Sequence, residues 1–264
     1  MSATRDELRQ IFADIKALTR AYADLEMGMP PLSADALRFL QEGGPSRETG
    51  GQPQDPDVAG HTQQGAAPQA PQSPFTSLEA LRNHVGECRR CPLHKGRNKL
   101  VFGEGSPQAR LVFVGEGPGA DEDRVGRPFV GKAGGLLTRI IENGMGLNRE
   151  AVYICNIVKC HPPGNRDPEP EEIRACMPFL RDQIRIIKPE VICTLGRVAA
   201  QALFGANFKI TLQRGRWQDY QGIPVMPTFH PAYLLRYPAS KRQTWEDIQQ
   251  VMAKLGLEIK GNGA

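Results

Sequence analysis

Nowhere in its 264 residues does this sequence contain an apolar run long enough to cross a bilayer as a helix, which takes roughly 18 residues or more. Its first residues, MSATRDELRQ, lack both the basic start and the apolar stretch of a secretory leader. Export and membrane insertion are therefore not expected, and the chain reads as a cytoplasmic protein. No internal repeat is present. Cysteine is scarce, at six residues. In a reducing compartment, spaced cysteines bind metal or do redox chemistry more often than they pair as disulfides.

What is there divides in two. Between residues 41 and 75, twelve residues are Gly or Pro and seven are Gln. So few large apolar side chains cannot offset the entropy of ordering the segment, which predicts a disordered linker over 44–75. Charge changes sign at the same place: residues 1–75 hold six Lys+Arg against ten Asp+Glu, and residues 76–264 hold 27 against 19. The basic C-terminal part suits a polyanionic partner such as nucleic acid.

Before the linker, Leu8, Ile11, Ile15, Leu18, Tyr22 and Leu25 recur at alternating spacings of three and four, which gives one narrow apolar seam on a helix. Ser33 as N-cap and Gly43-Gly44 as terminator frame a second helix carrying Leu37, Phe39 and Leu40. Residues 1–43 are thus expected to form a helical extension. Its seam would pair with a second copy, with another protein, or with its own domain.

From residue 110 the pattern changes to short apolar runs, RLVFVGE, VYICNIVK, EVICTLG and IPVMPTFH, separated by helical stretches such as PEEIRACMPFLRDQIRIIK and KRQTWEDIQQVMAKLG. Runs rich in Val, Ile and Phe that alternate with helices predict an α/β fold with a parallel sheet covered on both faces. Ligands of such sheets bind beyond the carboxyl ends of the strands, so the residues after each run carry the most information. After the first run stands Gly115-Glu-Gly-Pro-Gly-Ala120, a poor dinucleotide fingerprint, because the next run ends in Asn156 and Lys159 where an acidic residue is needed. What remains is a Gly-rich turn with Glu116 at its lip.

Cys88 and Cys91 form a C-x2-C pair, and Cys160 and Cys176 follow as a widely spaced second pair. Four thiolates in two pairs can enclose a metal centre, either zinc or an iron-sulfur cluster, and spacing leaves both open. Cys155 and Cys193 lie inside apolar runs and read as small core residues.

Taken together, C-x2-C-PLH, FVGEGPGADEDRVGRPFVGKAGGLL, VYICNIVKCHPPGNRDPEPEEIRAC, VICTLGRVAAQALFG and RGRWQDYQGIPVMPTFHPAYLLR carry a resemblance. Residues 88–250 closely resemble the family 4 uracil-DNA glycosylases, the iron-sulfur branch of that superfamily. The resemblance does not reach residues 1–75. It implies a three-layer αβα sandwich around a central four-stranded parallel sheet, and removal of uracil from DNA by base flipping. It implies a 4Fe-4S cluster on Cys88, Cys91, Cys160 and Cys176. Arg89, Arg90, Lys95, Arg97 and Lys99 cluster around the first cysteine pair and read as phosphate contacts, or else as a solvated face.

For a flipped uracil, an Asn amide is the right reader, accepting from N3–H and donating to O4, and Asn156 matches it. Phe129 would stack on the base, and the wall near Gly119 would exclude a C5 methyl. Glycosidic cleavage leaves a uracil anion and an oxocarbenium-like sugar. His230, assisted by the Gly117 N–H, matches the donor at O2, and Glu116, supported by Glu122, matches the carboxylate facing the sugar. Family 1 enzymes carry Asp at the position of Gly117. Tyr233, Leu234, Leu235 and Arg236 resemble the loop that wedges into the duplex. Two alternatives are a covalent uracil-DNA binder, for which an RRIH-type insertion is lacking and His161 is the one nearby histidine, and a non-catalytic iron-sulfur adaptor. Since the linker predicts no folding capacity, a chain cut to residues 76–264 should keep uracil excision and lose only self-association or partner binding. An excision assay on the truncated protein checks this, and a folded but inactive truncation would contradict it.

Overall fold

The computed structural model describes residues 73–258. The helical extension expected over 1–43, and the linker expected over 44–75 apart from its last residues, lie outside the described residues. Phe75, at the end of that expected linker, is partly buried against the domain, with its ring 4.8 Å from that of His84. Phe75 thus belongs with the described domain, where its aromatic ring gains from burial.

Six strands occur in chain order as β1 (Glu104–Gly105), β2 (Leu111–Gly115), β3 (Tyr153–Asn156), β4 (Val191–Leu195), β5 (Gln218–Tyr220) and β6 (Ile223–Thr228). They lie side by side in the order β1-β3-β2-β4-β6-β5. The inner four pair in parallel, as the apolar runs predicted. The two edge strands pair antiparallel and were not foreseen: they are two and three residues long and carry no apolar run.

The described helices are α1 (Leu78–Val85), α2 (Ala120–Val125), α3 (Lys132–Arg139), α4 (Pro170–Ile187), α5 (Arg197–Phe204), α6 (Ile210–Gln213), α7 (Pro231–Arg236) and α8 (Lys241–Lys254). Side chains alternate across the sheet. Val112, Val114, Cys155 and Ile192 share one core with Leu81 of α1, Leu180 and Ile184 of α4, and Ala199 of α5. Phe113, Ile154, Cys193 and Met226 share the other with Leu137 of α3 and with Ile248 and Val251 of α8. Two cores, one on each face, make the three layers. Cys155 and Cys193 are buried in these strands, as expected of core residues.

The start of α4 is pinned by a capping box, with Pro170 in its first turn. Glu172 accepts from the Glu169 N–H at 2.7 Å and from both Arg166 nitrogens at 2.9 and 2.7 Å, and Arg166 holds its carboxyl below the usual range. The loop between Cys160 and α4 is thereby fixed where it passes the ends of the strands.

In α3, Gly134 packs so closely under the preceding loop that a Cβ would overlap the Phe129 carbonyl and come within 2.8 Å of the Phe129 Cα. Gly134→Ala should therefore destabilise the fold by about 1–3 kcal/mol through overpacking, even though Ala usually favours a helix interior by about 1 kcal/mol over Gly. Gly135→Ala, whose Cβ would meet nothing closer than Arg139 Nη1 at 3.9 Å, should stabilise by roughly 0.5–1 kcal/mol. Urea midpoints of the two variants check the pair.

Candidate active site

β2 and β3 end level, with Gly115 opposite Asn156. The pairing continues past both strands, since Ile157 N donates to Gly115 O at 2.9 Å and Val158 N to Glu116 O at 3.1 Å. A cavity of about 470 Å³ opens just beyond, and Glu116, Phe129, Asn156, Asp167, His230 and Tyr233 are among the residues that line it. Asn156 is 1% exposed, and its Oδ1 has no hydrogen-bond partner among the described residues. Gly115 makes room for it: a Cβ there would overlap Asn156 Oδ1 and stand 2.6 Å from Phe129 Cζ.

Phe129 is held in a conformation unusual for a bulky residue, with φ of 53°. Glu122, in α2, secures the loop after it: Oε1 accepts from Val130 N at 2.8 Å and Gly131 N at 2.9 Å, while Oε2 accepts from Gly119 N at 3.1 Å. From the other side, Arg149 donates to the Pro128 carbonyl at 2.7 Å and is itself paired with Glu104. Glu122, expected to support Glu116, lines the cavity as well. Both its oxygens are engaged by backbone N–H groups, and what it does is tie the Gly-rich turn to the Phe129 loop.

His230 caps α7, with Nδ1 accepting from Ala232 N at 3.1 Å. Burial first, then the positive charge of Arg236, push its pKa down to about 4, with Glu122 acting the other way. The ring is neutral near pH 7, and the Ala232 bond places its one proton on Nε2. Its centroid lies 5.6 Å from that of Phe129. The strand end before it is fastened from below: Thr228 Oγ1 donates to the buried Asp247 at 2.6 Å, and Arg214 pairs with the same carboxylate. Gly196 lies close against the histidine, where a Cβ would come within 2.9 Å of the His230 Cβ.

Glu116 is partly buried on the opposite lip. Burial, and then the negative charge of Asp167, raise its carboxyl to about 7 against the pull of Arg197, which is itself paired with Asp167. Gly117, Pro118 and Gly119 line the cavity as well. His161 is turned to the same turn, its Nδ1 2.8 Å from the Pro118 carbonyl.

Behind the Asn156 strand, Cys88, Cys91, Cys160 and Cys176 line a second, small cavity whose walls include Leu93, Val158 and Phe179. None of the four is paired in a disulfide. Arg97, expected among the phosphate contacts, is instead buried in this wall. It donates to the Cys88 carbonyl at 2.6 Å and to Cys160 Sγ at 3.2 Å, and its side chain is 8% exposed. Arg90 donates to Cys88 Sγ at 3.3 Å and lies over the Phe179 ring. Arg89, Lys95 and Lys99 are exposed.

Comparison with known proteins places this arrangement. Residues 102–249 match the model of the uracil DNA glycosylase superfamily. The chain is 50% identical over 185 residues to the type-4 uracil-DNA glycosylase of Thermotoga maritima, covering 69% of this chain and 96% of that one. It is 47% identical over 183 residues to the type-4 enzyme of Sulfurisphaera tokodaii, covering 66% and 83%. A type-5 uracil-DNA glycosylase from Thermus thermophilus is 34% identical over 157 residues, covering 47% and 71%. The chain belongs to the type-4 uracil-DNA glycosylases.

In this type-4 glycosylase, the segment after His230 is a short helix, and that changes which residues face outward. Leu234 is 1% exposed and packs with Leu136 and Phe229, so it cannot enter a duplex as expected of it. Leu235 is 41% exposed and Arg236 is also exposed. Tyr237, which sequence reasoning missed, is 55% exposed and continues a ladder of rings, 4.7 Å from Tyr233, which lies 4.9 Å from Phe229. Its signal was its place, directly after the HPAYLLR stretch. Asp167 was also missed, because a carboxylate in an Asn-Arg-Asp-Pro loop looks like turn chemistry.

The His230 geometry has a direct spectroscopic consequence. Nitrogen NMR of labelled histidine should show the Nε2–H tautomer at neutral pH, with titration only at about 4. A ring already protonated at about pH 6, near the ordinary histidine range, would contradict the assignment.

Proposed function

We propose that this protein is a DNA repair glycosylase that hydrolyses the N-glycosidic bond of uracil in DNA and leaves an abasic site. The observation that carries the reading is the unpaired, buried Oδ1 of Asn156 in a cavity walled by Phe129 and His230. A buried acceptor left without a donor costs on the order of 1–3 kcal/mol, so the cavity suits a ligand that brings one. Uracil N3–H is such a donor, and its O4 accepts from the Asn156 amide, whereas cytosine presents the reverse pattern. On this reading Phe129 stacks on the extruded base, and the wall near Gly119 or its neighbours excludes a C5 methyl.

As the C1′–N1 bond breaks, its electron pair passes to the uracil ring and charge grows on O2. The neutral His230 donates a hydrogen bond there from Nε2 and keeps its proton, and the Gly117 N–H assists. Glu116 in its ionised form faces the sugar cation and takes a proton from the water whose oxygen joins C1′. Leu235 and Arg236, together with Tyr233, contact the duplex. The substrate is uracil-containing DNA in the cytoplasm, and relatives named as glycosylases favour turnover over a trapped adduct or a non-catalytic adaptor.

The four cysteines around the second cavity fit a 4Fe-4S cluster. Among the described residues, no three His, Cys, Asp or Glu side chains are arranged to hold a single metal ion, yet four thiols line one cavity and two arginines donate to their sulfurs. When bound, the cluster would supply a covalent tie between the Cys88 loop, the end of β3 and α4.

Incubation with a uracil-containing oligonucleotide, then alkali and a sizing gel, tests the reaction, and cleavage should occur at uracil alone. Asn156→Ala should lower both binding and turnover, by about 1–3 kcal/mol for each lost group. His230→Ala should slow single turnover by roughly a hundredfold to a thousandfold while binding changes far less. Because the raised Glu116 carboxyl is charged only above its pKa, the rate should climb as pH rises through about 7. Glu116→Gln should abolish that rise, and a Glu116→Gln enzyme with near-normal rate would remove the residue from the mechanism.

A further inference from the structure

Lys159 stands between the two sites, three residues after Asn156 and directly before Cys160. Lysine is almost never buried without a partner, yet this one is 1% exposed. Its Nζ donates to the Asn156 carbonyl at 2.8 Å and to Gln183 Oε1 at 2.6 Å, both neutral acceptors. Among the described residues it makes no ion pair with a carboxylate. Gln183 is itself fixed, donating to the Phe102 carbonyl at 2.8 Å and to Tyr153 Oη at 3.1 Å. It lies two helical turns after Cys176 on the same face of α4. Lys159 also lines the cysteine cavity.

A buried cation needs a counter-charge close by, or it costs several kcal/mol. It lines one cavity with Cys88, Cys91, Cys160 and Cys176, its charge acts on Cys176 and on the buried Cys155, and thiolates carrying a cluster are net negative. We propose that Lys159 is a positioning residue that joins uracil recognition to the cysteine cage: it grips the backbone of Asn156, and the loaded cage supplies its counter-charge. The inference rests on the cluster reading above. Uracil recognition then depends on the cage through one side chain, and not only through the general stability of the domain.

The test uses the full chain purified without air, and compares wild type with Lys159→Met and Lys159→Arg. Iron and sulfide content comes first. A wild type without them overturns the cage reading itself, whereas a loaded wild type leaves Lys159 on trial alone. Lys159→Met should keep its cluster but show a more negative cluster reduction potential, since a positive charge beside the cluster is lost. Its KM for uracil-containing oligonucleotide should rise roughly tenfold while kcat stays within about threefold, because Glu116 and His230 are held by other elements. Lys159→Arg should keep the wild-type potential. If Lys159→Met does not fold, Gln183→Glu takes its place: the new carboxylate competes for Nζ and adds negative charge near the cage, with the same two shifts expected. An unchanged potential and an unchanged KM in whichever variant folds would overturn the proposal. So would failure of all three variants to fold, which would leave Lys159 a packing residue.

Discussion

The site is built around a carbonyl oxygen that the fold buries and leaves without a donor. Asn156 Oδ1 sits buried at the end of a strand covered on both faces, and among the described residues no side chain turns to meet it. Elsewhere in a protein interior such an atom would be a defect. Here the neighbouring strand ends in glycine, so the Asn156 amide and the Phe129 ring take the space a Cβ would have needed, and the cavity opens beyond them. The unmet acceptor is what makes the cavity selective, because a ligand lacking a donor at that point cannot repair the deficit.

Everything around this atom serves to keep the cavity open and its walls still. Phe129 adopts a strained backbone, and strain persists only where neighbours over-determine it. Glu122 with three backbone N–H groups, Arg149 at the Pro128 carbonyl and the close approach of Gly134 supply that determination. On the other side, Asp247 and Arg214 secure the strand that delivers His230. Two titratable groups at the cavity, His230 and Glu116, are pushed in opposite senses by burial: the histidine is held neutral near pH 7, and the carboxyl is raised to about 7.

Much of this was legible in the sequence. The four parallel strands announced themselves as apolar runs, and the strand-end rule alone directed attention to Glu116, Asn156 and His230. Spacing marked the four cysteines as a metal centre, and the motif resemblance chose the iron-sulfur cluster for them and brought in Phe129. What was not legible depended on tertiary placement. Glu122 and Asn156 are both polar residues near a strand end, and only coordinates show that one is saturated by backbone donors while the other is bare. Leu234 and Leu235 are adjacent and identical in type, but the helix turns one into the core and the other outward. Arg97 looked like a surface cation among four others, and the fold spends its hydrogen bonds on a cysteine carbonyl and a sulfur. Residues without a period or a partner in sequence, such as Lys159 and Asp247, could not be assigned at all.

The claim on which the account turns is that the bare oxygen of Asn156 reads the N3–H of uracil. Calorimetric titration of the protein with uracil and with 3-methyluracil isolates that contact, because methylation removes the donor and leaves O2 and O4 in place. The account predicts that uracil binds and that 3-methyluracil binds at least about tenfold more weakly, with the difference lost in Asn156→Ala. Equal binding of the two bases by the wild-type protein would contradict it.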